Sequence, residues 1–309
     1  MNQVTARTNP VSPTVTEIGE EFALDLRSGV TRGIYSPHTA KTYLASVTQF
    51  ADFLTKKGMP TAIDAITREH VEAWLEHLLA TRSSSTAKTR HGGLGRFFNY
   101  CVEEGELTVS PMVKVRPPRV TQKPVPVITD DELRNLLATC SGRTFADRRD
   151  NAIVRLLIDS GMRRSEIGGL RVGDLDFDMG VAVVMGKGRR YRSVPFGATT
   201  AIALKKYLRE RSRHPHATAE WLWVGKVGRL GGDGIQQAVA RRGVEAGIVG
   251  LHLHQFRHTF AHQHLAAGGN EGDLMVLAGW RNRAMLDRYA ASAATTRARA
   301  NYQAPGDRL

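Results

Sequence analysis

The sequence predicts a mainly α protein in two parts, a helical bundle followed by a larger α+β domain with a small antiparallel sheet. Three observations predict it. Apolar residues recur at spacings of three and four over most of the chain, and they alternate only between Val181 and Val194. Five of the 12 prolines crowd into residues 111 to 128, a density that no helix survives. With 309 residues, 41% apolar and 24% charged, the composition is that of an ordinary soluble globular protein of about two domains.

Taken in order, residues 1 to 30 show weak periodicity and are expected to form a partly flexible N-terminal segment. Ser36 before Pro37 is an N-cap and first-turn pair, and Tyr43, Val47, Phe50 and Leu54 then share one helix face. Val71, Trp74, Leu75, Leu78 and Leu79 make a second stripe, and Leu94, Phe97, Phe98, Cys101 and Val102 a third, so that residues 31 to 110 form a small bundle. Residues 111 to 128 form an extended basic linker with Lys114, Arg116, Arg119 and Lys123 and no acidic residue. From 129 to 309 lies the second domain. Thr129 and Glu132 form a capping box that opens a helix, and another runs through residues 152 to 158 to a break at Gly161. The period then changes to two: Val181, Val183 and Met185 lead into a turn at Gly186 to Arg190, and Arg192 and Val194 resume the alternation, giving a β-hairpin with a basic tip. Helical spacing returns near 198–211, 233–246, 254–267, 271–278 and 283–290.

Charge narrows the function. Lys plus Arg number 43 against 30 Asp plus Glu, for a net +13. Residues 1 to 110 hold 11 basic and 12 acidic residues, so the rest of the chain carries the whole surplus. A domain this basic suits a polyanion, since Lys and Arg on phosphates release counterions. Within the bundle, the stretch between Glu76 and Glu103 has no acidic residue, and its Lys88 and Arg90 are candidate DNA contacts; a solvated face is the ordinary reading of such a run. No apolar stretch approaches the roughly 18 residues of a membrane span, and the N-terminus lacks the apolar core of a secretory signal, which leads us to expect a cytoplasmic protein. Cys101 and Cys140 sit in apolar helical patterns and read as core thiols.

Three segments carry chemistry together: Ser160-Gly-Met-Arg-Arg-Ser-Glu166, His254-Gln-Phe-Arg-His258, and Gly279-Trp-Arg-Asn-Arg-Ala-Met-Leu-Asp-Arg-Tyr289. In order and spacing they resemble the tyrosine recombinase, or phage integrase, family. Its catalytic domain has an arginine in a Gly-x-Arg-x-Ser-Glu box, a His-x-x-Arg pair, and a Gly-His or Gly-Trp nine residues before a nucleophilic tyrosine. The resemblance extends from about Ser36 onward, and any one of these short motifs alone would be weak. It implies an N-terminal core-binding, SAM-like helical bundle on DNA and a catalytic domain behind the linker.

The resemblance implies a role for each residue. Arg163 and Arg257 would clamp one phosphate, a task that suits planar guanidiniums, although an isolated arginine in so basic a chain is ordinarily a surface contact. Glu166 would orient the site, where the plain alternative is a helix ion pair. His254 would be a general acid/base or a donor to a phosphate oxygen. Lys187, at the hairpin tip, would protonate the departing 5′ oxygen, where simple groove or backbone contact is the plain alternative and Arg189 and Arg190 compete for the role. Apart from the resemblance, Arg189 and Arg190 are candidate DNA contacts, and Arg164 beside Arg163 is a candidate phosphate or salt-bridge residue. Trp280 replaces the histidine of many members, keeping an N–H donor but no exchangeable catalytic proton; a purely packing tryptophan is the alternative. Tyr289 would attack phosphorus and form a covalent 3′-phosphotyrosyl intermediate that stores the bond energy for rejoining.

Read without the family, His254, His258 and His262 at spacings of four could suggest a metal site. Arg257 lies among them and no carboxylate balances the charge, so neither a metal nor any other cofactor is expected. The expected partners are double-stranded DNA at a specific recombination site and three further copies of the chain, in a homotetramer on two sites that exchanges strands through a Holliday junction. An accessory DNA-bending protein and a nucleoid-associated place in a bacterial cytoplasm fit the same picture. Two alternatives stay open at this point: a type IB topoisomerase-like enzyme that relaxes DNA as a monomer, and a non-catalytic DNA-binding protein on an integrase scaffold.

Overall fold

The computed structural model describes residues 12–120, 126–186, 190–283 and 285–286. The chain divides into two units, Met1–Lys123 and Pro124–Leu309, so the division falls inside the predicted linker.

The described part of the first unit begins with α1 (Val15–Thr31), a regular helix in the stretch whose weak periodicity predicts a partly flexible segment. Thr14 caps it, and Glu17 reaches back to the Thr14 backbone N–H at 2.7 Å, completing a capping box. Val15, Ile18, Phe22 and Leu26 are buried against α2 (Pro37–Lys56) and α4 (Ser84–Glu103), in a core that α3 (Arg68–Thr81) completes. Ser36 caps α2 as its sequence requires. The core is aromatic: Phe50 meets Trp74 edge to face with centroids 5.2 Å apart, and Phe22 meets Phe97 at 5.6 Å. Helices α2 and α4 cross where Gly93 has no side chain, and a Cβ there would stand 3.2 Å from the Tyr43 Cα. Leu79 and Val102, placed on the predicted stripes, are exposed. Cys101 is buried, and burial pushes its thiol up to about 12.

The linker is less extended than its prolines suggest. Met112 and Val115 are buried in the first core, and the Val115 carbonyl lies 3.1 Å from His91 Nε2. At the other end, Ile128 is buried in the second core and its N–H donates to Thr259 Oγ1 at 2.9 Å.

In the second unit, α5 (Asp130–Thr139) carries the Thr129–Glu132 capping box, and α6 (Phe145–Ser160) ends at Gly161, whose φ of +54° is left-handed. A single helical turn, α7 (Arg164–Ile167), follows at once. The three-stranded antiparallel sheet has the order β1 (Leu175–Asp176), β2 (Val181–Met185), β3 (Tyr191–Pro195), with Ala182 opposite Val194 and Met185 opposite Tyr191. After α8 (Ala198–Arg211) comes a short hairpin of β4 (Val224–Gly225) and β5 (Gly228–Arg229), then α9 (Gly232–Glu245), α10 (Leu253–Ala266) and α11 (Glu271–Ala278). The main core gathers around α6, with Leu156, Leu157, Leu204, Tyr207 and Phe256 at its centre. A second cluster of Ala261, Leu265, Leu274, Ala278, Trp280 and Leu286 joins α10 to α11. Among the described residues no helix is long and apolar enough to cross a membrane.

Candidate active site

Glu166 is the centre of the site, and its own side chain is 1% exposed. Arg163 is the N-cap of α7, so Glu166 stands at the third helical position and accepts the Arg163 backbone N–H at 2.8 Å in a capping box. The same carboxylate accepts Arg163 Nη1 at 2.7 Å and two bonds from Arg192 on β3, Nη1 at 2.8 Å and Nη2 at 3.1 Å. Burial works to raise the pKa of Glu166, but the Arg192 guanidinium, the Arg163 N–H and the Arg163 guanidinium outweigh it and hold the carboxyl below its usual range.

The C-terminus of α11 is the second organising element. Gly279 ends it at a φ of +63°, and the N–H groups of Gly279 and Trp280 close on the Val276 and Met275 carbonyls. The next three carbonyls take arginines. Leu277 O accepts Arg192 Nε at 3.0 Å, Ala278 O accepts Arg257 Nη2, and Gly279 O accepts Arg163 Nη2 at 3.0 Å. Cations are favoured here because the carbonyl end of a helix carries partial negative charge. Three guanidiniums against one carboxylate leave a surplus of two positive charges, which suits an anionic ligand.

Arg257 comes from α10 and is 2% exposed. Its Nη1 donates to the Gly161 carbonyl at 3.0 Å, and its guanidinium carbon lies 5.2 Å from the Trp280 ring centroid. Arg163 is the more open of the pair, its side chain 33% exposed. One turn before Arg257 stands His254, exposed, with its ring 4.3 Å from that of buried His258 in an edge-to-face contact.

The structure thus brings Arg163, Glu166, Arg257 and Trp280 together. Arg164 points elsewhere and pairs with Asp233 at 2.7 Å. Arg190 is exposed at the end of the hairpin. Lys187, Arg189 and Tyr289 lie outside the described residues. In the first unit Lys88 is exposed on α4, whereas Arg90 reaches back to α2 and donates to the Thr42 carbonyl at 3.1 Å. Together with His38, Lys41, Ser85, Thr86 and Thr89, Arg90 lines a groove of about 390 Å³ that has no acidic residue. Sequence reasoning missed Arg192. Its signal was an arginine in the same strand register as buried Val194, where an inward charge needs a partner.

The sequence matches the phage integrase family over residues 126–296 and the N-terminal SAM-like domain of phage integrases over residues 23–105. It is 33% identical over 252 residues to the tyrosine recombinase XerC of Oceanobacillus iheyensis, covering 79% of this chain and 82% of that one. It is 29% identical to the tyrosine recombinase XerD of Bifidobacterium longum, over 82% and 85%. Among solved structures, the fold is similar to the XerH site-specific recombinase bound to a palindromic difH substrate, with a TM-score of 0.76 at 17% identity over 97% of this chain and 98% of that one. It is also similar to a lambda integrase tetramer bound to a Holliday junction, with a TM-score of 0.69 at 17% identity over 91% and 82%. This chain belongs to the phage integrase family and is a tyrosine-type site-specific recombinase.

Proposed function

We propose that Arg163 and Arg257 hold the scissile phosphate of duplex DNA at a specific recombination site while Tyr289 attacks it. One observation carries the reading: both guanidiniums are fixed to consecutive carbonyls of the turn that bears Trp280, nine residues before Tyr289. The Tyr289 oxygen bonds to phosphorus as the bond to the 5′ oxygen breaks, leaving a 3′-phosphotyrosyl linkage. His254 takes the phenolic proton and Lys187 supplies one to the departing 5′ oxygen. The arginines meet the charge that develops on the non-bridging oxygens, so the chemistry calls for no metal or cofactor. Attack by a 5′ hydroxyl from the partner duplex reverses the step and exchanges the strands.

The likeness to a lambda integrase tetramer on a Holliday junction supports a homotetramer on two DNA sites passing through a four-way junction. The exposed Arg190 and Lys88 contact phosphates, with Lys187 and Arg189 beside Arg190 in sequence. A bacterial cytoplasm, on nucleoid DNA and with an accessory DNA-bending protein where the site requires one, is the setting this function needs. Relatives that are tyrosine recombinases by name lend no support to a topoisomerase-like or a non-catalytic role.

The test is a nicked suicide duplex carrying the attachment site from DNA flanking the gene, incubated with EDTA. Wild type should form a covalent adduct visible on a denaturing gel, and Tyr289→Phe none. An adduct from both proteins, or from neither despite tight binding, would sink the assignment.

A further inference from the structure

We infer that Arg192 is a positioning residue for strand cleavage: it ties the turn that carries Trp280 and leads to Tyr289 to the carboxylate that orients Arg163. The inference rests on the roles proposed above for Arg163 and Tyr289.

Its geometry separates Arg192 from Arg163, whose side chain is 33% exposed. The Arg192 side chain is 13% exposed, and all three of its guanidinium nitrogens donate inside the protein. Nη1 and Nη2 grip both oxygens of Glu166 in a fork, and Nε turns the other way to Leu277 O. Arg192 therefore links the Glu166 carboxylate to the turn that ends α11. Arg163 meets the same carboxylate and the same turn two carbonyls further on, so Glu166, Arg163, Arg192 and residues 277–279 form a closed ring of hydrogen bonds. Gly279 lies between the two guanidiniums. A Cβ there would stand 3.2 Å from Arg192 Cδ and 3.5 Å from Arg163 Nη1.

The consequence is mechanical. Residues 277–279 leave the helix at a left-handed glycine, where the peptide units have no further helical partner. Freed from Arg192, Leu277 O loses the anchor that ties this turn to the sheet, and the residues after Trp280 lose their fixed starting direction. Glu166 would also lose the fork on its two oxygens and keep only its bonds to Arg163, so the carboxylate that orients Arg163 would be less firmly fixed. Misplacement of a reacting group by about 1 Å can cost about a hundredfold in rate. Lysine is a partial substitute, because one ammonium cannot hold both oxygens in a fork and a carbonyl on the other side.

The test compares wild type, Arg192→Ala and Arg192→Lys as full-length protein. Amide hydrogen exchange, measured without DNA, should accelerate in Arg192→Ala within residues 275–281 and stay unchanged in α6 and α8, with Arg192→Lys between. On a nicked duplex selected by wild type from a randomised pool, saturating DNA should be bound within about twofold of wild type. The single-turnover rate of adduct formation should fall about a hundredfold in Arg192→Ala and less in Arg192→Lys. A residue that only stiffens the fold would lower the melting temperature and leave that rate intact in the folded protein. A rate within about twofold of wild type, or unchanged exchange at 275–281, overturns the proposal. An adduct formed by Tyr289→Phe would refute the nucleophile, and the proposal with it, whatever the exchange data give.

Discussion

The guanidinium carbon of Arg257 stands 5.2 Å from the centre of the Trp280 indole, while Arg257 Nη2 donates to the carbonyl of Ala278 two residues before it. Arginine and tryptophan are thus held by one turn. The indole also closes the small core of Leu265, Leu274 and Leu286, being 6% exposed, so packing and polarity meet in one side chain.

Trp280→Phe separates the two. The benzene ring keeps most of the apolar contact and the face presented to Arg257 but has no N–H. We expect a melting penalty of about 1–2 kcal/mol by denaturant titration and a loss of adduct formation of about tenfold or more. Cleavage at the wild-type rate would reduce Trp280 to a packing residue.

Gly161→Ala attacks the other Arg257 anchor. Residue 161 has a φ of +54°, and a Cβ would stand 2.8 Å from Phe260 Cδ1 on the helix that carries Arg257. Strain and overlap together should cost about 2 kcal/mol, read as a lower urea midpoint at unchanged slope. Cleavage should fall as well, because the Gly161 carbonyl fixes Arg257 Nη1.

Glu166 gives a pH signature. Its folded pKa is held below the ordinary value, so the carboxylate contributes stability that is fully present above the unfolded carboxyl range near 4.5 and is lost as pH falls through the depressed folded value. Melting temperature should therefore fall on acidification in wild type, and this portion of the slope should vanish in Glu166→Gln. At neutral pH that variant should be less stable by about 3 kcal/mol, since two arginines lose a buried counter-charge. A parallel pH profile in the two proteins would contradict the assignment.

On α4, neighbouring basic residues should behave differently. Lys88 is exposed, and Lys88→Ala should weaken DNA binding uniformly across sequences, lowering the log–log salt slope by about one. Arg90 spans to the Thr42 carbonyl on α2, with its Nε buried and without a partner. Arg90→Ala should therefore change the thermal stability of the first unit as well as DNA affinity. Salt titration with calorimetry separates the two.

The cysteines should be inert. Burial pushes the Cys101 thiol up to about 12 and raises that of Cys140. Native protein should therefore react with a maleimide far more slowly than protein in guanidinium, and rapid labelling of either residue in folded protein would count against the packed cores.

Local chemistry made much of this protein legible in advance. The capping pairs at Ser36 and at Thr129 with Glu132, the left-handed glycine at 161 and the alternation from Val181 to Val194 are signals within a few residues, and the backbone obeys them. The motif residues Arg163, Glu166, Arg257 and Trp280, picked out through the family resemblance, lie around one turn. Helix α1 carries the same kind of signal in Thr14 and Glu17, but the weak periodicity of residues 1 to 30 as a whole hides it. What tertiary structure alone decided is how the motifs are joined. Arg163, Arg192 and Arg257 lie on separate elements and meet at the carbonyls of residues 277–279. Backbone carbonyls are the same at every position, so no residue type marks them in a sequence. They become binding groups only where a helix ends and leaves them without partners, and where the fold brings distant donors within about 3 Å.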